Sequence, residues 1–273
     1  VTTTKKVPDP ETQTGRKGRL STSLLLFLVA LLSLVAATVA WFSIADNTLV
    51  RSMSMEVTSG ANLRFDLDAH AQFEDYVKTL SFAQISQRIS QEQGFDMTAV
   101  PLEPVTTQDG DTFTLESGTV VDAGSGAYLT FTLHFMAAED MVVHLTSAST
   151  AGASDGTAIT SSTSALPSAM RISFTADGVT YVYDPGLGDT SGQESYGKTF
   201  GLADSSQMVL SGDNALFSLQ AQVDKPVVVH IWLEGTDENC TDGLRGADYS
   251  IRLRFVGTDE ENNLLDGADY GQD

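Results

Sequence analysis

The sequence holds one cysteine in 273 residues, seven prolines and only fifteen basic side chains. One thiol cannot close an internal disulfide, so stability has to come from a packed core. Cys240 then either bridges two copies or sits half-buried and inert. The scarce basic charge is also unevenly placed. Lys5, Lys6, Arg16, Lys17 and Arg19 lie near the start, while 10 of the 15 basic and 34 of the 36 acidic side chains follow Ala40, a net −24 within an overall −21. A surface of that sign repels nucleic acid and anionic lipid, and attracts water and cations. Nucleic-acid binding is excluded. Solubility and spacing between copies account for the charge, with cation binding as the alternative.

Catalytic signatures are missing as well. There is no HExxH, GxSxG or P-loop, and none of His70, His134, His144 and His230 has a Cys or His partner at zinc-site spacing. His134 and His144, on neighbouring predicted strands, either meet across a hairpin or stand as exposed imidazoles. In Asp237–Gly243 the alternate positions Asp237, Asn239 and Thr241 imitate a calcium loop. Asp242 nevertheless stands where an EF-hand needs glycine, and Asp248 where it needs glutamate. Calcium held between loops is the one cofactor reading left open. Asp109–Asp111 and Asp122–Gly126 read as turns. No catalytic, cofactor-binding or metal-ligating residue is assigned, and the chain is read as non-enzymatic.

Long apolar runs are absent except at Leu24–Phe42. About 20 apolar residues span a bilayer, and this block is nearly that long. The basic side chains before it direct everything after it out of the cytoplasm. With Thr38 and Ala40 at −3 and −1, a signal peptidase would cut between Ala40 and Trp41; an uncleaved membrane anchor is the competing reading. The predicted layout is a basic segment over 1–23, a signal core or anchor over 24–40, a β-sandwich over 41–260 and an acidic tail over 261–273.

Period-2 alternation predicts the strands. It runs through Met53–Val57, Asn62–Leu67 and Tyr128–Phe135, and Arg171–Phe174, Val179–Tyr183, Gln207–Leu210, Leu216–Val223, Val227–Leu233 and Ser250–Val256, several bounded by turn residues, complete the set. Met141–Leu145, after the turn Ala138-Glu139-Asp140, predicts a hairpin with its predecessor. Phe73, Val77, Leu80, Phe82, Ile85 and Ile89 recur at helical spacing, which predicts one helical insertion over about 70–93, capped by Asp68 and stopped by Gly94. Ala148–Ser164 and Asp184–Gly197, rich in small and polar residues, read as surface loops. Together these describe an all-β, jelly-roll-like sandwich, with Trp232 and Phe255 in its core.

Thr38-Val39-Ala40 followed by Trp41-Phe42-Ser43 resembles the start of the TasA/camelysin group of exported Gram-positive proteins. Tyr128–Phe135 with Val142–Leu145, and Val229–Gly235 with the strand Ile251–Phe255, are similar to segments of uncharacterised exported proteins of Firmicutes. Ile44-Ala45-Asp46 departs from the group, which often has Asp directly after the Ser or Thr. The resemblance implies a jelly-roll subunit of extracellular fibres or biofilm matrix, joined through its mature N-terminal strand. Trp41, Phe42 and Ile44 become the expected assembly contacts, and the partner is another copy or a different surface protein. Large apolar side chains at a chain start gain by burial, and an extended segment can add to a neighbour's sheet edge. Self-pairing of 41–50 competes with that. The alternatives are a membrane-anchored extracellular ligand-binding module and, third, a metal-dependent hydrolase using His134 or His144.

Overall fold

The computed structural model describes residues 27, 49–53, 55–56, 62–148, 155–188, 191–194, 196–202, 208 and 210–265, with backbone only at 49–53, 55–56, 191 and 193–194. The chain divides into two compact units, Val1–Ala40 and Trp41–Asp273. The first is represented by Phe27 alone, which is helical, so the apolar block lies otherwise outside the described residues.

The second unit is mostly β. Its first strands are β1 (Leu49–Met53), β2 (Met55–Glu56), β3 (Leu63–Asp66), β4 (Thr79–Leu80), β5 (Pro104–Thr107) and β6 (Phe113–Thr114). Next come β7 (Val120–Val121), β8 (Leu129–Ala137), β9 (Met141–Leu145), β10 (Ala158–Thr160), β11 (Met170–Ala176) and β12 (Val179–Tyr183). The last are β13 (Ser191–Glu194), β14 (Gly197–Phe200), β15 (Ala215–Leu219), β16 (Lys225–Glu234), β17 (Asp248–Arg252) and β18 (Phe255–Thr258). Among the described residues of this unit, two α-helices, α1 (Phe82–Gln93) and α2 (Leu166–Ala169), accompany them.

A ten-stranded sheet follows the order β13-β14-β12-β11-β16-β5-β6-β7, with β8 and then β3 attached through β16. β16 organises it. One edge pairs antiparallel with β11, and the other pairs first with β8 and then, in parallel, with β5. Its run Val227–Leu233 is nearly all buried because both faces are covered. Val229, Ile231 and Leu233 enter the main core, while Trp232 packs with Phe113, Tyr128 and Val105 in a second, smaller one. Each such buried side chain contributes about 1.5–3 kcal/mol.

The three-stranded sheet β15-β9-β18 shares the main core with the large one, giving a sandwich-like arrangement. Phe135 of β8 meets Phe217 of β15 and Phe255 of β18, each at 5.2 Å between ring centroids, and Phe174 of β11 meets Phe255 at 5.5 Å. This geometry overturns the expected β8–β9 hairpin. β8 ends in one sheet and β9 begins in another, because both strands carry an apolar face that the opposite sheet buries. Ser250–Val256, expected as one strand, is likewise split into β17 and β18 in different sheets. At the break, buried Arg254 pairs with Asp155 at 2.7 Å.

The helical insertion is shorter than expected. Ser81 caps α1 in a reciprocal box with Gln84, Gly94 ends it in the left-handed region at φ 80°, and Ile85 and Ile89 are buried. Asp68 is not a cap; its carboxylate takes Arg88 at 2.6 Å. Residues before Ser81 are claimed by strands instead. Phe65 and Val77 exchange backbone hydrogen bonds of 2.9 and 3.0 Å, Thr79–Leu80 pairs with β2, and Phe73 and Tyr76 pack on Met136.

Two expected loops contain strands. β10 lies within 148–164 and pairs with β17 through Ile159 and Ile251; β13 lies within 184–197 and pairs with β14. Backbone ladders satisfy these polar segments without an apolar run to announce them. A Cβ at Gly197 would lie 1.8 Å from the Thr180 carbonyl oxygen, so only glycine admits this approach of β14 to β12. In Gln207–Leu210, expected as a strand, Met208 and Leu210 are irregular and the other two residues lie outside the described set.

Candidate functional site

The residues expected to carry processing and assembly, Ala40, Trp41, Phe42 and Ile44, lie outside the described residues. Description resumes at Leu49 in β1. β1 runs parallel to β17, from Leu49 beside Asp248 to Met53 beside Ile251, with a register shift at Arg51. Among the described residues β17 is its sole neighbour, and β10 occupies the far edge of that sheet. Residues 49–53 therefore pair within their own chain, as an edge strand.

His134 and His144, expected to meet across a hairpin, are not brought together, because they lie in different sheets. His134 lies on β8 of the large sheet, where its Nδ1 is 2.9 Å from Asp224 Oδ2. The Tyr76 hydroxyl donates to Asp224 Oδ1 at 2.7 Å and accepts from the His70 backbone N–H at 2.9 Å. The His70 ring in turn approaches Asp66 at 3.4 Å. Burial and then the Asp224 carboxylate push the Tyr76 phenol up to about 12. Tyr76 is therefore a neutral hydrogen-bond donor to the carboxylate at neutral pH. The cluster fastens the segment around Tyr76 to β8 and to the turn before β16.

His144, on β9, is fully buried and not exposed. Its Nδ1 faces Asn214 Oδ1 at 3.3 Å and its Nε2 faces Thr258 Oγ1 at 3.0 Å. Asn214 Nδ2 donates to the Leu145 carbonyl at 2.9 Å, which fixes the amide with its oxygen toward the ring. Burial drives the imidazole below its ordinary pKa. His230 is also buried, edge-on to Phe113 at 5.2 Å, with its pKa lowered by the same cause. All three residues hold the fold together.

The segment that imitates a calcium loop has another occupant. Arg171 of β11 bridges Asp184 at 2.9 Å and Asp237 at 2.5 Å. Burial raises the Asp184 carboxyl above its usual range despite the arginine. For Asp237 burial acts the same way, but hydrogen bonds from Asn239 and Arg171 outweigh it and hold the carboxyl low. The guanidinium and the Asn239 N–H groups thus take both carboxylate oxygens of Asp237. Among the described residues no three His, Cys, Asp or Glu side chains converge as metal ligands. Cys240, in the same segment, is half-buried, and burial with the nearby Asp237 and Glu234 pushes its thiol up to about 12.

The expected turns are present. Asp109 Oδ1 accepts the backbone N–H groups of Asp111 and Thr112 at 3.0 and 2.7 Å, which lowers its pKa to about 2. Gly126 ends the second turn at φ 76°.

Sequence reasoning missed two open clefts. One, of about 400 Å³, crosses the three-stranded sheet near Asp140, Ser218 and the Asp259–Glu261 turn. The other, of about 460 Å³, runs between β15 and the large sheet. Consecutive residues Ala215–Ser218 line the second cleft, so it follows the edge of β15 and not one face. Its opposite wall carries Val179, Tyr181, Lys198 and Lys225. Lys78, Lys198 and Lys225 are the only lysines after residue 41, and two of these three meet here. That scarcity was the one signal available in the sequence. Comparison with protein-family models, with curated proteins and with solved structures found no match to this chain.

Proposed function

We propose that this chain is an exported, non-enzymatic structural or adhesive protein of a Gram-positive cell surface, a fibre or matrix subunit that assembles through its N-terminal strand. The observation that carries the reading is β1, a short strand that comes after the apolar leader region in the sequence and has β17 as its one neighbour among the described residues. Five residues held along one edge form a weak attachment, and the same backbone groups would pair equally well with a neighbour's sheet. The leader, its small-residue junction and the resemblance of Thr38–Ser43 to the TasA/camelysin group supply the export and the jelly-roll assignment. The engagement of His134, His144 and His230 in fold-stabilising contacts supports a non-catalytic role.

Electron microscopy and light scattering of protein beginning at Trp41 test this. Fibres or concentration-dependent oligomers are expected, and replacing Trp41, Phe42 and Ile44 with serine abolishes them. Strictly monomeric behaviour across pH and concentration, with and without calcium, overturns the proposal.

A further inference from the structure

We propose that the cleft beside β15 docks an extended acidic peptide, and that residues 266–273 of a second copy are that peptide. This contact is separate from the N-terminal one and stands without it.

β15 closes one side of the order β15-β9-β18, so among the described residues only β9 pairs with it. Ala215–Ser218 line the cleft along the edge of β15 that pairs with no other described strand, and an extended segment can add there as a strand. Val179, Tyr181 and Phe217 give the cleft apolar walls for side chains on one side of that segment. Lys198 and Lys225 place two ammonium groups in it against the single carboxylate of Asp177, in a region whose net charge is strongly negative.

Both lysines already have carboxylate neighbours, but weak ones. Lys225 pairs with Asp177, whose side chain is 74% exposed, and Lys198, which donates to the Gly212 carbonyl, stands 3.9 Å from Asp213, 65% exposed. Such surface pairs are worth about 0–1 kcal/mol, so an incoming carboxylate replaces them at little cost. The same lysines and the irregular register of β15 at Leu216 guard the edge against uncharged strands. They therefore select an acidic one.

The chain itself contains such a segment. Asp266, Asp269 and Asp273 flank Tyr270 in the stretch after Leu265. Extended, eight residues reach about 27 Å, more than the roughly 17 Å of a five-residue strand. Within one chain the route is unfavourable. Leu264 is bridged to Thr258 of β18, on the opposite edge of the three-stranded sheet. Between the two edges lies the other cleft, lined by Asp140, Asp259, Glu260 and Glu261, which repels an acidic segment crossing it. A second copy approaches β15 without that crossing.

The test uses protein starting at Trp41, a compact unit by itself, and a fluorescent peptide of sequence Leu264–Asp273. Anisotropy titration is expected to show micromolar binding that weakens with salt. Lys198→Glu and Lys225→Glu should each weaken it by about tenfold. Wild-type protein with a peptide N-methylated at alternate residues should lose binding, a readout that needs no altered protein. Sedimentation of the protein should show self-association reduced by the triple change Asp266→Asn, Asp269→Asn, Asp273→Asn. Absence of peptide binding to both the wild-type protein and the triple variant overturns the docking site. Binding indifferent to N-methylation, or equal for a scrambled peptide, overturns strand addition. A monomer at all concentrations whose cleft opens to peptide only after the triple change overturns the second-copy assignment.

Discussion

β16 and β15 are strands of similar residue type and opposite circumstance. β16 is ten residues long, paired on both edges and covered on both faces; β15 is five residues long and paired with β9 alone among the described residues. In β16 every polar group has to be answered inside the protein, and His230 is met by aromatic edges and the Ser173 hydroxyl. In β15 the side chain of Ser218 is exposed, and one edge pairs with no other strand among the described residues. The centre of the sheet spends its residues on cohesion, and the edge keeps backbone groups available.

The sharpest test of that contrast is Trp232→Ala. Loss of a side chain 1% exposed, set edge-to-face against Phe113, should cost about 3–5 kcal/mol in urea unfolding. A cost below 1 kcal/mol would break the comparison, because the second core would then contribute nothing. Arg171→Met comes next. It leaves Asp184 and Asp237 facing each other without their shared cation and should cost about 2–3 kcal/mol at neutral pH. The loss should shrink in acid as Asp184, whose pKa is raised, takes up a proton.

Tyr76→Phe tests the fastening beside β16. Removing the hydroxyl that donates to Asp224 should cost about 1–2 kcal/mol. The folded pKa lies above the ordinary 10.0, so the stability from keeping the phenol neutral is fully present below pH 10.0 and is lost as pH rises through about 12. The phenylalanine variant should show a flatter pH profile over that window in thermal melts. Smallest of all is Ser218→Val on the edge strand, expected within about 0.5 kcal/mol. A larger loss would show that β15 is not an open edge.

Much of the strand content could be read from alternation, because an apolar face that must be buried leaves a period of two. Leu63, Phe65 and Leu67, or Leu129 to Phe135, follow it without exception. Pairing partners leave no such mark. Nothing in Met141–Leu145 distinguishes a strand that folds back on β8 from one that crosses to the facing sheet. β13 was illegible for the opposite reason, since Ser191–Glu194 is held by backbone ladders alone. The helical period from Phe73 to Leu80 was real as spacing, yet the bridge between Phe65 and Val77 claimed that backbone. For the candidate site, the roles of His134 and His144 depend on Asp224, Asn214 and Thr258, which lie between 70 and 114 positions away in the chain.

Cys240 offers a practical consequence. A single thiol, half-covered and raised to about 12, is almost wholly protonated at neutral pH and slow toward alkylating reagents. It lies in the segment that Arg171 anchors through Asp237. Reaction therefore waits for that segment to open, and the labelling rate becomes a clock for local opening at one end of the fold. With no second cysteine to confuse the signal, a mass shift of one adduct per chain times that event in the intact, unmodified protein.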